Sequence, residues 1–148
     1  MTHSLAVHEM SHVAVSLAVP GVTTATIVAD EDGYTVNPDC IPEGHAALDC
    51  ILAGVIGERI HVEGIHGARD MAERLTPQQF MDTPTGAFDL ALVGPMMTRQ
   101  LLLECFDRVA PAIVTMLMGM DDVALATVEA RLRGLKSGEG VSFRRSVQ

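Results

Sequence analysis

The spacing of apolar residues predicts a helix near the start of the chain. Over residues 4–19 the apolar positions recur every three or four residues, as on one helix face: Leu5, Val7, Met10, Val13, Ala14 and Leu17. Ser4 is a suitable N-cap, and Pro20-Gly21 ends the run. A second run of this kind, over 43–62 and broken by glycines within 64–67, predicts a second helix.

The segment between these helices predicts a short β-hairpin. Residues 22–36 are rich in β-favouring types, and Asp30-Glu31-Asp32-Gly33 supplies the turn. Beyond residue 62 we expect short helices over 68–75 and after Thr76-Pro77, then an apolar helical stretch from Ala87 onward. A last helix runs from an N-cap at residues 121–122 to residue 133. The expected fold class is mainly α (α+β): one domain over 1–136 and a flexible tail over 137–148.

Composition and charge narrow the classes of function. The chain has 148 residues, 48% of them hydrophobic, and a formal net charge of -9. Such an acidic chain is a poor candidate for nucleic-acid binding, and it has no basic amphipathic stretch for a membrane surface. We find no signal-peptide pattern and no apolar run of the roughly 20 residues that span a bilayer. The three cysteines, Cys40, Cys50 and Cys105, are odd in number and unclustered, so we expect reduced thiols and a cytoplasmic location.

The first helix carries a candidate metal motif. His8-Glu9-Met10-Ser11-His12 has the form H-E-x-x-H, and histidines four apart lie on one helix face, within reach of one zinc ion. Glu9 stands beside the first ligand, where it can act as general base on a zinc-bound water. The motif also occurs by chance, and the alternative is a polar stripe on an amphipathic helix. Burying these three side chains in an otherwise apolar run without a purpose would cost stability.

A longer stretch resembles a known family. HEMSHVAVSLAVPGVTTATIVADEDGYTV, residues 8–36, is similar to the start of the peptidase domain of FtsH-type zinc metalloproteases, and Leu52-Ala53-Gly54 with Glu58 is similar to a later helix of that family. The resemblance implies a zincin-like helical peptidase domain, with Zn²⁺ as cofactor and a peptide or protein as substrate. It also implies that Glu58 hydrogen-bonds a ligand histidine. Met10-Ser11 departs from the small Ala-Gly pair of the family, so we expect different packing around the ligand helix.

The resemblance places the third zinc ligand on an aspartate after a T-G-A-type turn. Thr85-Gly86-Ala87-Phe88-Asp89 matches this turn best, and we prefer Asp89. Asp70, in His66-Gly67-Ala68-Arg69-Asp70, is the alternative, although its arginine neighbours suggest a solvated face. Either aspartate could instead be a plain helix N-terminal acid. We expect the remaining candidates to lie on the surface or on helix faces (His45, His61 and His66) or to fill the core (Met116, Met118 and Met120).

Three functions are consistent with these patterns. The leading hypothesis is a zinc metalloendopeptidase that hydrolyses peptide bonds in unfolded or flexible substrates. A regulatory protease with one repressor-like substrate would share that chemistry. The third is a catalytically silent interaction protein on a protease-like scaffold. The sequence shows no ATPase module, so the resemblance implies proteolysis without ATP-driven unfolding, and it leaves homo-oligomer formation open.

Overall fold

The computed structural model describes residues 3–145 of the chain. Helices make up 65% of it, and the strands form one small antiparallel sheet, so the expected mainly α (α+β) class is confirmed. In chain order the elements are α1 (Ser4–Ala18), β1 (Thr24–Asp30), β2 (Gly33–Pro38), α2 (His45–Arg74), α3 (Pro77–Met81), α4 (Ala87–Val93), a 3₁₀ turn (Gly94–Met96), α5 (Arg99–Gly119), α6 (Asp122–Arg133) and β3 (Gly140–Arg144).

Local capping signals set several of the helix ends. Thr76 and Gln79 form a capping box at the start of α3, and the Asp121 side chain accepts from the Ala124 amide of α6, as expected there. At α1 the prediction was wrong, because Ser4 is already helical and His3 holds the N-cap position without a side-chain cap. Glu129 Oε1 on α6 accepts from the Ala6 amide of that first turn, at 2.8 Å.

Helix α2 is two helices in series. Gly64 interrupts it with φ 76° and ψ 165°, a backbone conformation that glycine adopts without strain. The expected break is therefore confirmed, although the two parts follow each other directly and the second ends at Arg74. The residues of α2 that approach α1 most closely, Gly54 and Gly57, lie in the first part, before the break.

The sheet has the order β2-β1-β3, with β1 in the centre. The flexible tail expected over 137–148 was wrong for the described part, because β3 pairs antiparallel with β1 from Thr24↔Arg144 to Val28↔Gly140. Arg145 then donates to the Leu17 carbonyl at 2.7 Å. The five residues of β3 alternate over too few positions to predict a strand, and Val141 is the one of them that is buried. Residues 146–148 lie outside the described residues.

Helix α1 lies between two apolar layers. Its Val15 belongs to the larger core, which is built mainly from α2 and α5, whereas Met10 and Val13 pack against Ala25 and Ile27 of the sheet. The polar side chains of α1 are buried as well, including those of His8, Glu9, Ser11 and Ser16. The alternative interpretation of the motif, a polar stripe exposed on an amphipathic helix, is therefore wrong for His8 and Glu9.

Two glycines let α1 and α2 approach closely. A Cβ added at Gly57 would lie 1.8 Å from Ser11 Oγ, and one at Gly54 would lie within 2.6 Å of the His8 ring. Ser11 is fully buried and donates to the Val7 carbonyl at 2.7 Å. The Met10-Ser11 pair is accommodated in this way: Met10 faces the sheet, and Ser11 fits against a residue with no side chain.

Within residues 3–145, no single helix is long and apolar enough to cross a membrane. Helices α5 and α6 reach that length and hydropathy only when taken together, and they meet at an angle of 101°.

A matched pair of isoleucines tests the position of the core. Ile56 of α2 is fully buried, whereas Ile41 is 84% exposed. We predict that Ile56→Ala lowers the free energy of unfolding by about 2–5 kcal/mol, because it leaves a cavity in a packed core. Ile41→Ala should change it by less than about 0.5 kcal/mol. Urea unfolding of both variants measures this, and equal effects would contradict the packing of α2 described above.

Candidate metal centre

Three side chains converge at the centre of the molecule. His8 Nε2 and His12 Nε2 are 3.1 Å apart, and Asp89 Oδ2 lies 3.1 Å from the first and 3.4 Å from the second. His8 and Asp89 are buried, and His12 is partly buried. Ligands about 2.0–2.1 Å from a tetrahedral zinc ion lie about 3.3 Å from one another. The three atoms therefore have the spacing of three ligands around one such ion.

The fold brings these residues together from two distant segments. His8 and His12 are one turn apart on α1 and face α2. Asp89 stands in the first turn of α4, which begins directly after the bend at Gly86. A Cβ at Gly86 would lie 2.6 Å from the Met81 carbonyl oxygen and 2.5 Å from Thr83 Oγ1, so the bend requires glycine. This bend turns α4 so that Asp89 points at the two histidines.

Hydrogen bonds on the far side of each imidazole fix its orientation. His12 Nδ1 is 2.6 Å from the carbonyl oxygen of Cys50, which can only accept, so Nδ1 carries the proton. His8 Nδ1 is 2.6 Å from Glu58 Oε1, a carboxylate acceptor. In the neutral tautomers that a metal ion would bind, both Nε2 atoms carry a lone pair that faces Asp89, as in metal-binding histidines.

Glu58 links the first histidine to the segment that carries Asp89. Its Oε1 accepts from His8 Nδ1, from Thr83 Oγ1 at 2.8 Å and from Thr85 Oγ1 at 2.5 Å. The expected hydrogen bond between Glu58 and a histidine of the motif is therefore present, whereas the role of that histidine as a ligand stays a prediction. One buried oxygen thus positions His8 on α1 and also holds the turn that leads into α4.

Two buried oxygens at this centre have no hydrogen bond: Glu9 Oε2 and Asp89 Oδ2. A buried carboxylate oxygen without a partner is costly, and such atoms in a native fold call for an ion, a ligand or a catalytic role. Asp89 Oδ2 is also the oxygen that faces the two imidazoles. The residues present therefore fit a metal ion bound by His8, His12 and Asp89, and these three form a set of potential ligands with atoms within 4.8 Å of one another.

The space beside the histidines depends on Gly54 of α2. A Cβ at this position would lie 2.4 Å from His8 Nε2 and 2.5 Å from His12 Nε2. These are the two nitrogens that face Asp89. A side chain at this position would push both rings away, so the glycine is a requirement of the centre as well as of the helix contact.

The titration of the metal-free centre follows from burial and from the neighbouring charges. Burial lowers the pKa of His8, but Asp89, Glu58 and Glu9 outweigh it and raise that pKa to about 9. Burial raises the pKa of Asp89, and the His12 and His8 rings reverse this and hold the pKa at about 2. At neutral pH His8 therefore keeps a proton that a metal ion must displace. Burial also raises the pKa of Glu9, and His12 and His8 oppose this only in part.

The centre opens into a cleft of about 520 Å³. Helix α1 forms its floor with His8, Glu9 and His12, and α4 forms one wall. Strand β2 also lines the cleft, together with Asp30 at the end of β1 and Asp32 in the turn. Among the described strands, β2 pairs only with β1. The backbone groups on its outer edge are therefore not paired with another strand.

The other sequence candidates lie outside this centre. Asp70 is exposed on α2 and pairs with Arg74 at 2.7 Å, so the structure brings Asp89 and not Asp70 to the histidines. His45 and His66 are exposed and His61 is partly buried. Of the three methionines expected in the core, Met116 and Met120 pack against apolar clusters, but Met118 is 84% exposed, so that expectation was wrong for Met118.

The sequence analysis assigned no supporting role to Gly54, Thr83, Thr85 or the Cys50 carbonyl, although Gly54 and Thr85 stand in the segments that resemble the family. A backbone acceptor carries no sequence signal. The threonines stand in the same turn that matched the family pattern, and their polar side chains beside a prospective ligand were the signal available. Comparison with known proteins adds no relative: no family model, no curated protein and no solved structure matches this chain.

The two aspartates can be distinguished by metal analysis. We predict about one zinc ion per wild-type chain after dialysis, and loss of that zinc in His12→Ala and Asp89→Ala, because each removes a ligand from a three-ligand set. Asp70→Ala is the matched control and should retain zinc, since its carboxylate pairs with Arg74 on the surface. Retention of zinc by Asp89→Ala would rule out this ligand set.

The requirement for Gly54 can be tested with a second glycine as control. We predict that Gly54→Ala lowers zinc affinity by about tenfold to a hundredfold, because the methyl group displaces both rings. Gly119→Ala should leave the affinity unchanged, since nothing lies within 4 Å of its added Cβ. Competition with a fluorescent chelator gives the affinities, and circular dichroism shows whether each variant is folded. Unchanged zinc affinity in a folded Gly54→Ala variant would contradict the geometry.

Proposed function

We propose that this protein is a zinc-dependent peptidase of the H-E-x-x-H type, with His8, His12 and Asp89 as metal ligands and Glu9 as general base. The observation that carries the proposal is the convergence of three metal-ligand atoms beside a buried carboxylate, Glu9, at the floor of an open cleft. A structural metal site does not need such a carboxylate. The family resemblance of residues 8–36 supports the same reading.

The ligand set favours zinc in a catalytic role. Two imidazole nitrogens and one carboxylate oxygen are typical zinc donors, and three protein ligands leave a fourth position for water or substrate. A zinc ion bound there would supply Lewis acidity, which makes water more acidic and polarises a carbonyl group. The hydrogen bonds of Glu58 and the Cys50 carbonyl keep both histidines in the tautomer that binding requires.

Glu9 is suited to move a proton. Its Oε1 is 3.9 Å from His8 Nε2, and its Oε2 has no hydrogen-bond partner. Burial raises the pKa of its carboxyl group, which makes the carboxylate a better proton acceptor than an exposed glutamate. Glu9 takes a proton from the attacking water, holds it on the carboxyl group and delivers it to the nitrogen of the departing amine.

The substrate in this proposal is an extended peptide. The free outer edge of β2 lies along the cleft and offers backbone groups for pairing with an added strand. Only an unfolded or flexible segment can adopt that conformation across the floor of the cleft. The protein would therefore act on disordered segments and termini rather than on compact domains.

The substitution Glu9→Gln separates catalysis from metal binding. We predict that this variant retains about one zinc ion per chain and loses at least about a hundredfold in cleavage rate, because the amide cannot accept the proton. Glu63→Gln, an exposed change on α2, should retain full activity. Cleavage is measured on fluorogenic peptides, and a chelator should abolish it until zinc is restored.

Two results would contradict this assignment. Equal cleavage by Glu9→Gln and wild-type protein would exclude Glu9 as the base. A zinc-loaded wild-type protein that cleaves no peptide would instead favour the catalytically silent interaction protein.

A further inference from the structure

The segment between α2 and α4 determines where the third candidate ligand lies, and little of it is regular structure. Helix α3 has five residues, and residues 82–86 after it form neither helix nor strand. A helix of this length is not stable by itself. The position of Asp89, in the first turn of α4, therefore depends on contacts that fix this segment against the rest of the fold.

One guanidinium group fixes the end of α3. Arg59 of α2 donates from Nε to the Phe80 carbonyl at 2.9 Å. Its Nη2 donates to the carbonyls of Gln79, at 3.0 Å, and Asp82, at 3.3 Å. The last carbonyls of a helix have no partner within the helix, so they need donors from elsewhere. The same guanidinium lies over the buried Phe80 ring, with its carbon 5.5 Å from the ring centroid.

These hydrogen bonds add direction to the apolar packing of α3. Phe80 and Met81 are fully buried and hold α3 against the core. Apolar contacts have no preferred direction, so they leave the helix able to rotate or slide. The planar guanidinium of Arg59 presents its donors in a rigid fork, and three carbonyls in that fork define one orientation of the backbone.

Arg59 and its neighbour Glu58 anchor successive parts of the segment. Arg59 holds the backbone of residues 79–82, and Glu58 holds the two threonines of the turn that follows. Both side chains come from the same place on α2, and Glu58 also accepts from His8 Nδ1. The path from the end of α3 to the Gly86 bend is therefore fixed to the helix that orients the first histidine.

The far end of α4 is tied to the same segment. Gln78 of α3 donates to the carbonyl of Gly94, which follows the last residue of α4, at 2.7 Å. Helix α4 is thus held at its start by the Gly86 bend and at its end by α3. A shift of α3 would tilt α4 and move Asp89 away from the imidazoles.

We infer that Arg59 is a positioning residue of the metal centre: it orients α3, and through α3 and the following turn it directs Asp89 Oδ2 towards the two histidines. The inference rests on the proposed function and its ligand set, and it adds a residue that contacts neither the metal ion nor the substrate. A carboxylate oxygen binds zinc at about 2.0–2.2 Å, so a small displacement of Asp89 weakens that bond.

A contact that only stabilises the fold would behave differently. It would change the free energy of unfolding and leave the zinc affinity of the folded protein as it was. Arg99 supplies the matched control, since its guanidinium donates to the Leu75 carbonyl at 3.0 Å. This is the same kind of contact, but it lies just before α3, away from the turn that leads into α4.

The test measures the zinc affinity of full-length protein by competition with a fluorescent chelator. The variants are Arg59→Met and Arg99→Met, at a temperature at which circular dichroism shows both to be folded. We expect Arg59→Met to weaken zinc binding by about tenfold or more, because the support of a metal ligand is lost. Arg99→Met should bind zinc as the wild type does.

Cobalt(II) in place of zinc gives a second readout, because its visible absorption spectrum depends on the number and geometry of its ligands. The spectrum should change in Arg59→Met and match the wild type in Arg99→Met. Arg59→Lys replaces Arg59→Met if the latter does not fold. Its ammonium group cannot reproduce the fork, so zinc binding should weaken in the same direction but by less.

Each failure has its own signature. Wild-type zinc affinity and an unchanged cobalt spectrum in the folded Arg59 variant would overturn the positioning role and leave the proposed function standing. Equal losses in Arg59→Met and Arg99→Met would also overturn it, since they would assign both arginines to general stability. Zinc-loaded wild-type protein that cleaves no peptide would overturn the peptidase function alone, and wild-type protein that binds no zinc would overturn both.

Discussion

The close contact between α1 and α2 is the constraint on which the centre depends. Gly54 and Gly57 bring the two helix backbones so near that a methyl group at either position would strike a side chain of α1. At this separation Glu58 and the Cys50 carbonyl reach the far nitrogens of both imidazoles. A wider spacing would break these hydrogen bonds and free the rings to rotate. The orientation of the two imidazoles is therefore set by helix packing and not by the motif alone.

The candidate metal centre is a cluster of polar side chains between two apolar layers, and burial of these groups opposes folding. His8, Glu9, Glu58 and Asp89 are all buried, and Glu9 Oε2 has no hydrogen bond, at a cost of about 1–3 kcal/mol for an unsatisfied buried atom. The threonine hydroxyls that donate to Glu58 offset part of this cost. A bound metal ion would offset more. The buried polar cluster therefore lowers the stability of the metal-free fold.

Much of this arrangement could be predicted from the sequence, and there are physical reasons why the rest could not. Helical spacing in α1 and the H-E-x-x-H motif predicted His8 and His12 on one face, because that relation is local. The choice of Asp89 over Asp70 needed the family pattern, since from the sequence either aspartate could have been a helix N-terminal acid. The strand at 140–144 was missed, because its stability comes from pairing with a distant strand and its own alternation is short. Exposure of Phe88 was also unpredictable, because an apolar residue in an apolar helix is normally buried.

The pairing of β3 with β1 has a consequence for the order in which the molecule assembles. The hydroxyls of Thr26 and Ser142 are hydrogen-bonded although 116 positions separate them in the chain. Glu129 accepts a hydrogen bond from the Ala6 amide, in the first turn of α1, across 123 positions. Contacts between residues so far apart in the chain form late, since a long loop must close before they contribute. During synthesis helix α1, which carries the two histidines, emerges first, but these long-range contacts form last. A nascent chain would therefore carry the three candidate ligand side chains before the fold has brought them together.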